Sequence, residues 1–110
     1  MGLLRIAGLS ADPLEAAAAF HSEHVAMIRA ATADLLLVFP AADHTHRGWR
    51  LAAVQMLARA KAPLRINAVA GGSEAAITAA AEYLASAPGL TGQFISLDDE
   101  GAGAVLPLRS

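Results

Sequence analysis

The sequence has no cysteine, only one tryptophan, one tyrosine, one lysine and one asparagine, and no apolar run of membrane-spanning length. Each scarcity closes off a class of function. Without cysteine there are neither disulfides nor thiolate metal sites. The longest apolar runs fall well short of the roughly 18 residues a transmembrane helix needs. The opening MGLLRIAGLS has one arginine and a short apolar stretch, too short and too weakly basic for a signal peptide. A net charge of −2 gives no electrostatic reason to expect nucleic acid or an anionic membrane as partner. A soluble, cytoplasmic chain is the expectation. Aromatic residues make up only 5%, so the core is built from small side chains and depends on close packing.

What is present is alanine and a regular alternation of segments. The chain is 55% hydrophobic over 110 residues, enough for one core and too short for two. We therefore expect a single domain over 1–110, with a loosely held Gly-rich tail over 98–110. Four short apolar runs read as strands: Leu3–Ala7, Asp34–Phe39, Leu64–Val69 and Gly92–Leu97. Three longer segments between them have helical spacing. The first is opened by Ser10 or Asp12 as cap and by Pro13, with Leu14, Ala18, Val25 and Ile28 on one side and Phe20, His24 and Met27 beside them. The second runs from about His46 to Lys61, with Trp49, Ala53, Met56 and Ala60 aligned, and Pro63 stops it. The third opens at Ser73-Glu74 and aligns Ile77, Ala80, Ala81 and Leu84.

This β-α-β-α-β-α-β order predicts an α/β fold, a small Rossmann-like domain with a four-stranded parallel sheet. DLLLVF (34–39) is apolar at successive positions, so both its faces should be covered. Crossovers of one hand, taken steadily in one direction, put every helix on the same side. Either one helix crosses over, or a second subunit covers the bare face. A homodimer or higher homo-oligomer is the expected assembly.

Two stretches then carry a resemblance. ARAKAPLRINAVAGG (58–72) and AAEYLASAPGLTGQFISLDDEGA (80–102) resemble the "VNaVaPG" and "TGq…vDGG" segments of the short-chain dehydrogenase/reductase family. LLRIAGLSADPLE (3–15) is similar to that family's Asn-Asn-Ala-Gly strand, with Ala7-Gly8 retained. RLAAVQMLARAKA (50–62) is similar to the helix that carries its catalytic Tyr-x-x-x-Lys. The resemblance covers nearly the whole chain as the C-terminal half of that fold, and implies its fourth to seventh strands in sequential order.

The departures bear on function. Family members bind a nicotinamide dinucleotide through a glycine-rich loop at a helix N-terminus, and no GxxxGxG-type segment occurs here. The resemblance places Arg47 at the catalytic Tyr position and Leu51 at the Lys position. Tyr83 and Lys61, the sole residues of their types, lie elsewhere. No catalytic residue and no cofactor are therefore expected, and a self-sufficient dehydrogenase is not.

Other constellations remain. Asp43-His44-Thr45-His46 follows the second strand, where open α/β sheets place ligands. Asp43, His44 and His46 offer metal-ligand chemistry. The plainer reading is a polar loop capped by Asp43 or Thr45. His21 and His24, three apart with Glu23 nearby, offer the same choice between titration or metal binding and the margin of a packed face. Arg47 and Arg50 bracket Trp49 at the second helix's start. An anion site is conceivable there, but contacts across an interface are preferred, with Trp49 as an anchor or a core residue. Gly71-Gly72-Ser73-Glu74 reads as turn plus Ser73 cap rather than a phosphate nest, because Glu74 repels an anion. Asp98-Asp99-Glu100 reads as a solvated acidic run.

The leading functional expectation is a non-catalytic relative acting by self-association, or by pairing with a full-length dehydrogenase. The contacts implied by the resemblance are the second and third helices and the last strand, with Arg47, Trp49, Arg50, Tyr83 and Phe94 as interface residues. The alternatives are a small-molecule binder and, less favoured, a metal-dependent enzyme at Asp43, His44 and His46. The binder's crevice would be lined by Gly8, Pro40, His44, His46, Gly71, Gly72 and Ser73.

Overall fold

A computed structural model of the chain describes residues 1–97; the expected loose tail at 98–110 and its acidic run lie outside the described residues. Each apolar run forms a strand: β1 (Gly2–Arg5), β2 (Leu35–Phe39), β3 (Ile66–Ala70) and β4 (Phe94–Ser96). The helices are α1 (Pro13–Glu23), α2 (Val25–Arg29), α3 (Arg47–Lys61) and α4 (Glu74–Ala85), with a 3-10 turn over His44–His46 before α3. The sheet is all parallel in the order β1-β2-β3-β4, so the expected α/β architecture stands. None of the described helices is long and apolar enough to cross a membrane.

Register assigns the faces. Leu37 stands opposite Ala68, and Leu36 opposite Asn67, so odd and even positions of β2 look to opposite sides. On one side Leu37, Phe39, Ile66 and Ala68 pack with Phe20, Ile28, Val54 and Leu57, joining α1, α2 and α3 to the sheet. On the other, Leu36, Val38 and Val69 pack with Ala76, Ile77, Ala80 and Leu84 of α4. One helix has thus crossed over. All three connections step the same way along the sheet, so the crossover through α4 has the opposite hand to the two before it. At least one of the three breaks the right-handed rule that about 98% of such units obey.

The first periodic segment is two helices rather than one. It bends at His24, whose φ is −116° and whose ring stacks on Phe20 at 5.8 Å between centroids. The buried residues are Ala16, Phe20 and Ile28, while Leu14, expected inward, is 83% exposed. In an alanine-dense helix, hydrophobicity scarcely distinguishes the faces, and the one large ring decides which turns in. The same error of phase occurs in α3. Its buried stripe is Arg50, Ala53, Val54, Leu57 and Ala58. Met56 and Ala60, expected inward, are exposed, because the stripe lies one column over from Trp49. In α4 the expected Ile77, Ala80 and Leu84 are buried.

Polar side chains tie the N-terminal ends of the strands together. Asp34 accepts from the Arg65 backbone N–H and from its Nε, both at 2.9 Å. Arg65 Nη1 donates to the carbonyls of Leu84 and Ala87, adding a second donor to each beside the backbone amides of Ala87 and Leu90 and tying the C-terminal end of α4 to β3. Asn67 is fully buried; its amide donates to the Leu90 carbonyl and accepts from Gln93 N. This pins the loop entering β4 and satisfies a buried polar group.

Candidate functional site

Helices run back from the C-terminal ends of the strands, so the turns after β1, β2 and β3 gather at that edge. Asp12 caps α1 by accepting from Glu15 N, and Pro13 occupies the first turn. Asp43 caps the 3-10 turn by accepting from Thr45 N at 3.0 Å and from the Thr45 hydroxyl. These two bonds, hydroxyl first, hold its carboxyl below the usual carboxylate range. Ser73 caps α4, accepting from Ala76 N at 3.1 Å.

Three clefts open along this edge. On the α3 side, one of about 330 Å³ is walled by Leu9, Ala11, Pro40, Asp43, His46 and Arg50. Its neighbour, about 230 Å³, shares Asp43, His46 and Arg50 and adds Arg47, Ala70 and Phe94. On the α4 side, a cleft of about 410 Å³ is walled by Arg5, Val38, Gly71, Gly72, Glu74 and Ile77. Gly8, at φ 76°, turns the chain between Ala7 of the last cleft and Leu9 of the first. The residues expected to line one crevice are therefore divided. His44 and His46 face the α3 side and Gly71 and Gly72 the α4 side, while Pro40 borders clefts on both and Ser73 serves as a cap.

The α4 cleft is unsuited to a pyrophosphate. Arg5 and Glu74 close it with a two-bond ion pair, at 3.1 and 2.8 Å, which sets a carboxylate where an anion would sit. The Gly71 amide is spent on the Phe39 carbonyl at 3.1 Å. The glycine pair has a packing reason instead: a Cβ on Gly71 would lie 2.9 Å from the Leu97 carbonyl oxygen. The residues present thus do not fit the phosphates of a dinucleotide.

On the α3 side, His46 is buried and both ring nitrogens are engaged. Nδ1 accepts from Trp49 Nε1 at 3.1 Å, and Nε2 lies 3.0 Å from the Ala11 carbonyl. An indole N–H only donates and a carbonyl only accepts, so this is the neutral ring with its proton on Nε2. His46 is thereby withdrawn from metal binding, and no group of three metal-ligating side chains exists among the described residues. Trp49 packs against Phe20 and Phe39, with centroids 5.6 and 5.9 Å away; it is a half-buried core residue.

Arg50 is the residue that sequence reasoning placed least well. Expected at an interface, it is 3% exposed, with its guanidinium 4.7 Å from the centroid of Phe39 and 5.7 Å from that of Trp49. Nη1 donates to the Pro40 carbonyl at 2.9 Å, and Nε has no partner. Among the described residues no carboxylate pairs with it, and burial lowers its pKa. Burying a cation costs several kcal/mol even after relaxation. Contact with an aromatic face offsets about 0.5–2 kcal/mol, and a hydrogen bond from a charged donor about 1.5–3 kcal/mol. The signal was in the spacing: 50, 53, 54, 57 and 58 form one helical stripe, and Arg50 heads it. Of the other expected interface residues, Arg47 is exposed with its guanidinium 5.4 Å from the Phe94 centroid. Tyr83 is 59% exposed on α4, across the sheet and near its other end.

Comparison with known proteins gives one finding. A family model described as short chain dehydrogenase-like protein matches residues 4–97, in agreement with the resemblance read from the sequence. No curated protein and no solved structure matches the chain.

Proposed function

Because this chain belongs to the short chain dehydrogenase-like family, whose model matches residues 4–97, we propose that it is a non-catalytic member that works by self-association. The non-catalytic part is supported by where its only tyrosine and lysine lie. Lys61 ends α3 and its Nζ donates to the Arg29 carbonyl at 2.7 Å, while Tyr83 sits in the last turn of α4. Both are at the N-terminal end of the sheet, on opposite faces, too far apart for a lysine to lower the pKa of a tyrosine. Incubation with a nicotinamide dinucleotide and a panel of alcohols and ketones should give no turnover.

The observation that carries the association is the side of the sheet at β1, which is open among the described residues. The Gly2 amide donates to the Asp34 carbonyl just before β2 and the Ile6 amide to Val38 within it, so those of Leu3 and Arg5 point to the open edge. α4 covers β2 and β3 but leaves Leu3 48% exposed beside the fully buried Leu36. A parallel sheet normally has both faces covered, and an open edge invites another strand. The most economical occupant is the β1 of a second copy, related by a twofold axis; a full-length dehydrogenase would compete for the same edge. Hydrogen exchange tests this at the residues concerned. Exchange at Leu3 and Arg5 should slow as protein concentration rises, and exchange that stays fast at every concentration would contradict the pairing.

A further inference from the structure

We infer that the two adjoining clefts at the head of α3 bind a small monocarboxylate, whose carboxylate group is the counterion of Arg50. The inference is independent of the association at β1, which lies at another part of the sheet. Its basis is a cation held inside the fold with less than its full complement of partners. Arg50 is 3% exposed, forms the shared wall of both clefts and, among the described residues, donates to one carbonyl and leaves Nε unpaired. The surroundings favour negative charge further. The first turn of the 15-residue α3 contains no acidic residue, its N-terminus carries the positive end of the helix dipole, and Arg47 stands on the rim.

The geometry also limits the class of anion. Asp43 lines both clefts, and its carboxylate disfavours a doubly charged phosphate more than a singly charged carboxylate. Leu9, Pro40, Ala70 and Phe94 supply apolar wall for a short carbon chain. Volumes of about 330 and 230 Å³ lie at or below the small end of ligand pockets. Neutral His46, fixed between Ala11 and Trp49, links the site to the only tryptophan.

That link supplies the readout. Sodium butyrate is titrated at constant ionic strength while the Trp49 fluorescence and its indole N–H resonance are followed. A saturable change is expected with butyrate and none with sodium chloride or butylammonium chloride; inorganic phosphate should be weaker than butyrate. Arg50→Met should weaken butyrate binding by at least about tenfold without lowering the melting temperature, whereas a purely structural arginine would lower it. Asp43→Asn, an exposed change that keeps a capping side chain, should tighten binding and keeps the test decisive if Arg50→Met does not fold. A response to butyrate no different from chloride would overturn the inference. So would undiminished binding by Arg50→Met, saturation by phosphate alone, or unchanged affinity in Asp43→Asn. Binding that emerges only after Asp98→Asn, Asp99→Asn and Glu100→Gln are combined would mean that the chain's own carboxylates are the counterion, and would overturn it too.

Discussion

At Gly72 the backbone takes φ 84°, and a Cβ there would meet the Cβ of Leu97 at 2.7 Å. The left-handed conformation and the overpacking both penalise a side chain, so Gly72→Ala should destabilise by about 2–4 kcal/mol in denaturant unfolding. Asp34 gives a pH-dependent counterpart. The Arg65 backbone N–H, then its guanidinium, outweigh desolvation and hold the Asp34 carboxyl below its ordinary value of 3.8. A depressed folded-state pKa means that its stabilisation is complete above the unfolded value and is lost as pH falls through the folded one. Asp34→Asn should therefore cost about 1–2 kcal/mol at neutral pH. Thermal melts from neutral pH downward should show that difference shrinking only below about 3.8. Arg50 departs from both cases, since its charge is a burden on the fold. If its removal lowered stability, the paired aromatic faces and the Pro40 carbonyl would already suffice for it.

At the scale of elements, the number of strands, their parallel arrangement and the Ser73 cap were legible, and the caps at Asp12 and Asp43 were each legible as one of two candidates, beside Ser10 and Thr45. They rest on local signals: continuous apolar runs, a Pro in the first turn, a polar residue before a periodic segment. What could not be read was the phase of the helices. In α1 the run AAAAF offers alanine in every direction, and only the fit of Phe20 against Phe39 and Trp49 selects a face. In α3 the tryptophan drew the expected stripe one column away from the real one, and hid Arg50 as a surface residue. The placement of the clefts at the strand ends was legible for the same topological reason that makes such ends ligand sites. Their division into two sides was not, because it depends on α4 crossing the sheet. Phe20, fully buried at the meeting of α1, α3 and β2, is the test of this packing. Phe20→Ala should lower stability by about 3–5 kcal/mol, whereas Leu14→Ala, on the opposite side of α1, should change it by less than about 0.5 kcal/mol.

For the whole molecule, the decisive feature is unequal coverage. Among the described residues three helices lie on one face and one on the other, and the surface they leave uncovered is next to β1, at the open edge. The resemblance directed attention to the α3, α4 and β4 surfaces, but Arg50 and Trp49 are spent inside the chain and Tyr83 stands apart from them. The proposed association through β1 rests instead on backbone groups and one exposed leucine, features that become visible only when the face taken by the third crossover is known. Light scattering of the intact chain at micromolar concentration, beside Leu3→Lys, tests that account most directly. A dimer for the native sequence and a folded monomer for Leu3→Lys is the predicted result, and a monomer for the native sequence would contradict it.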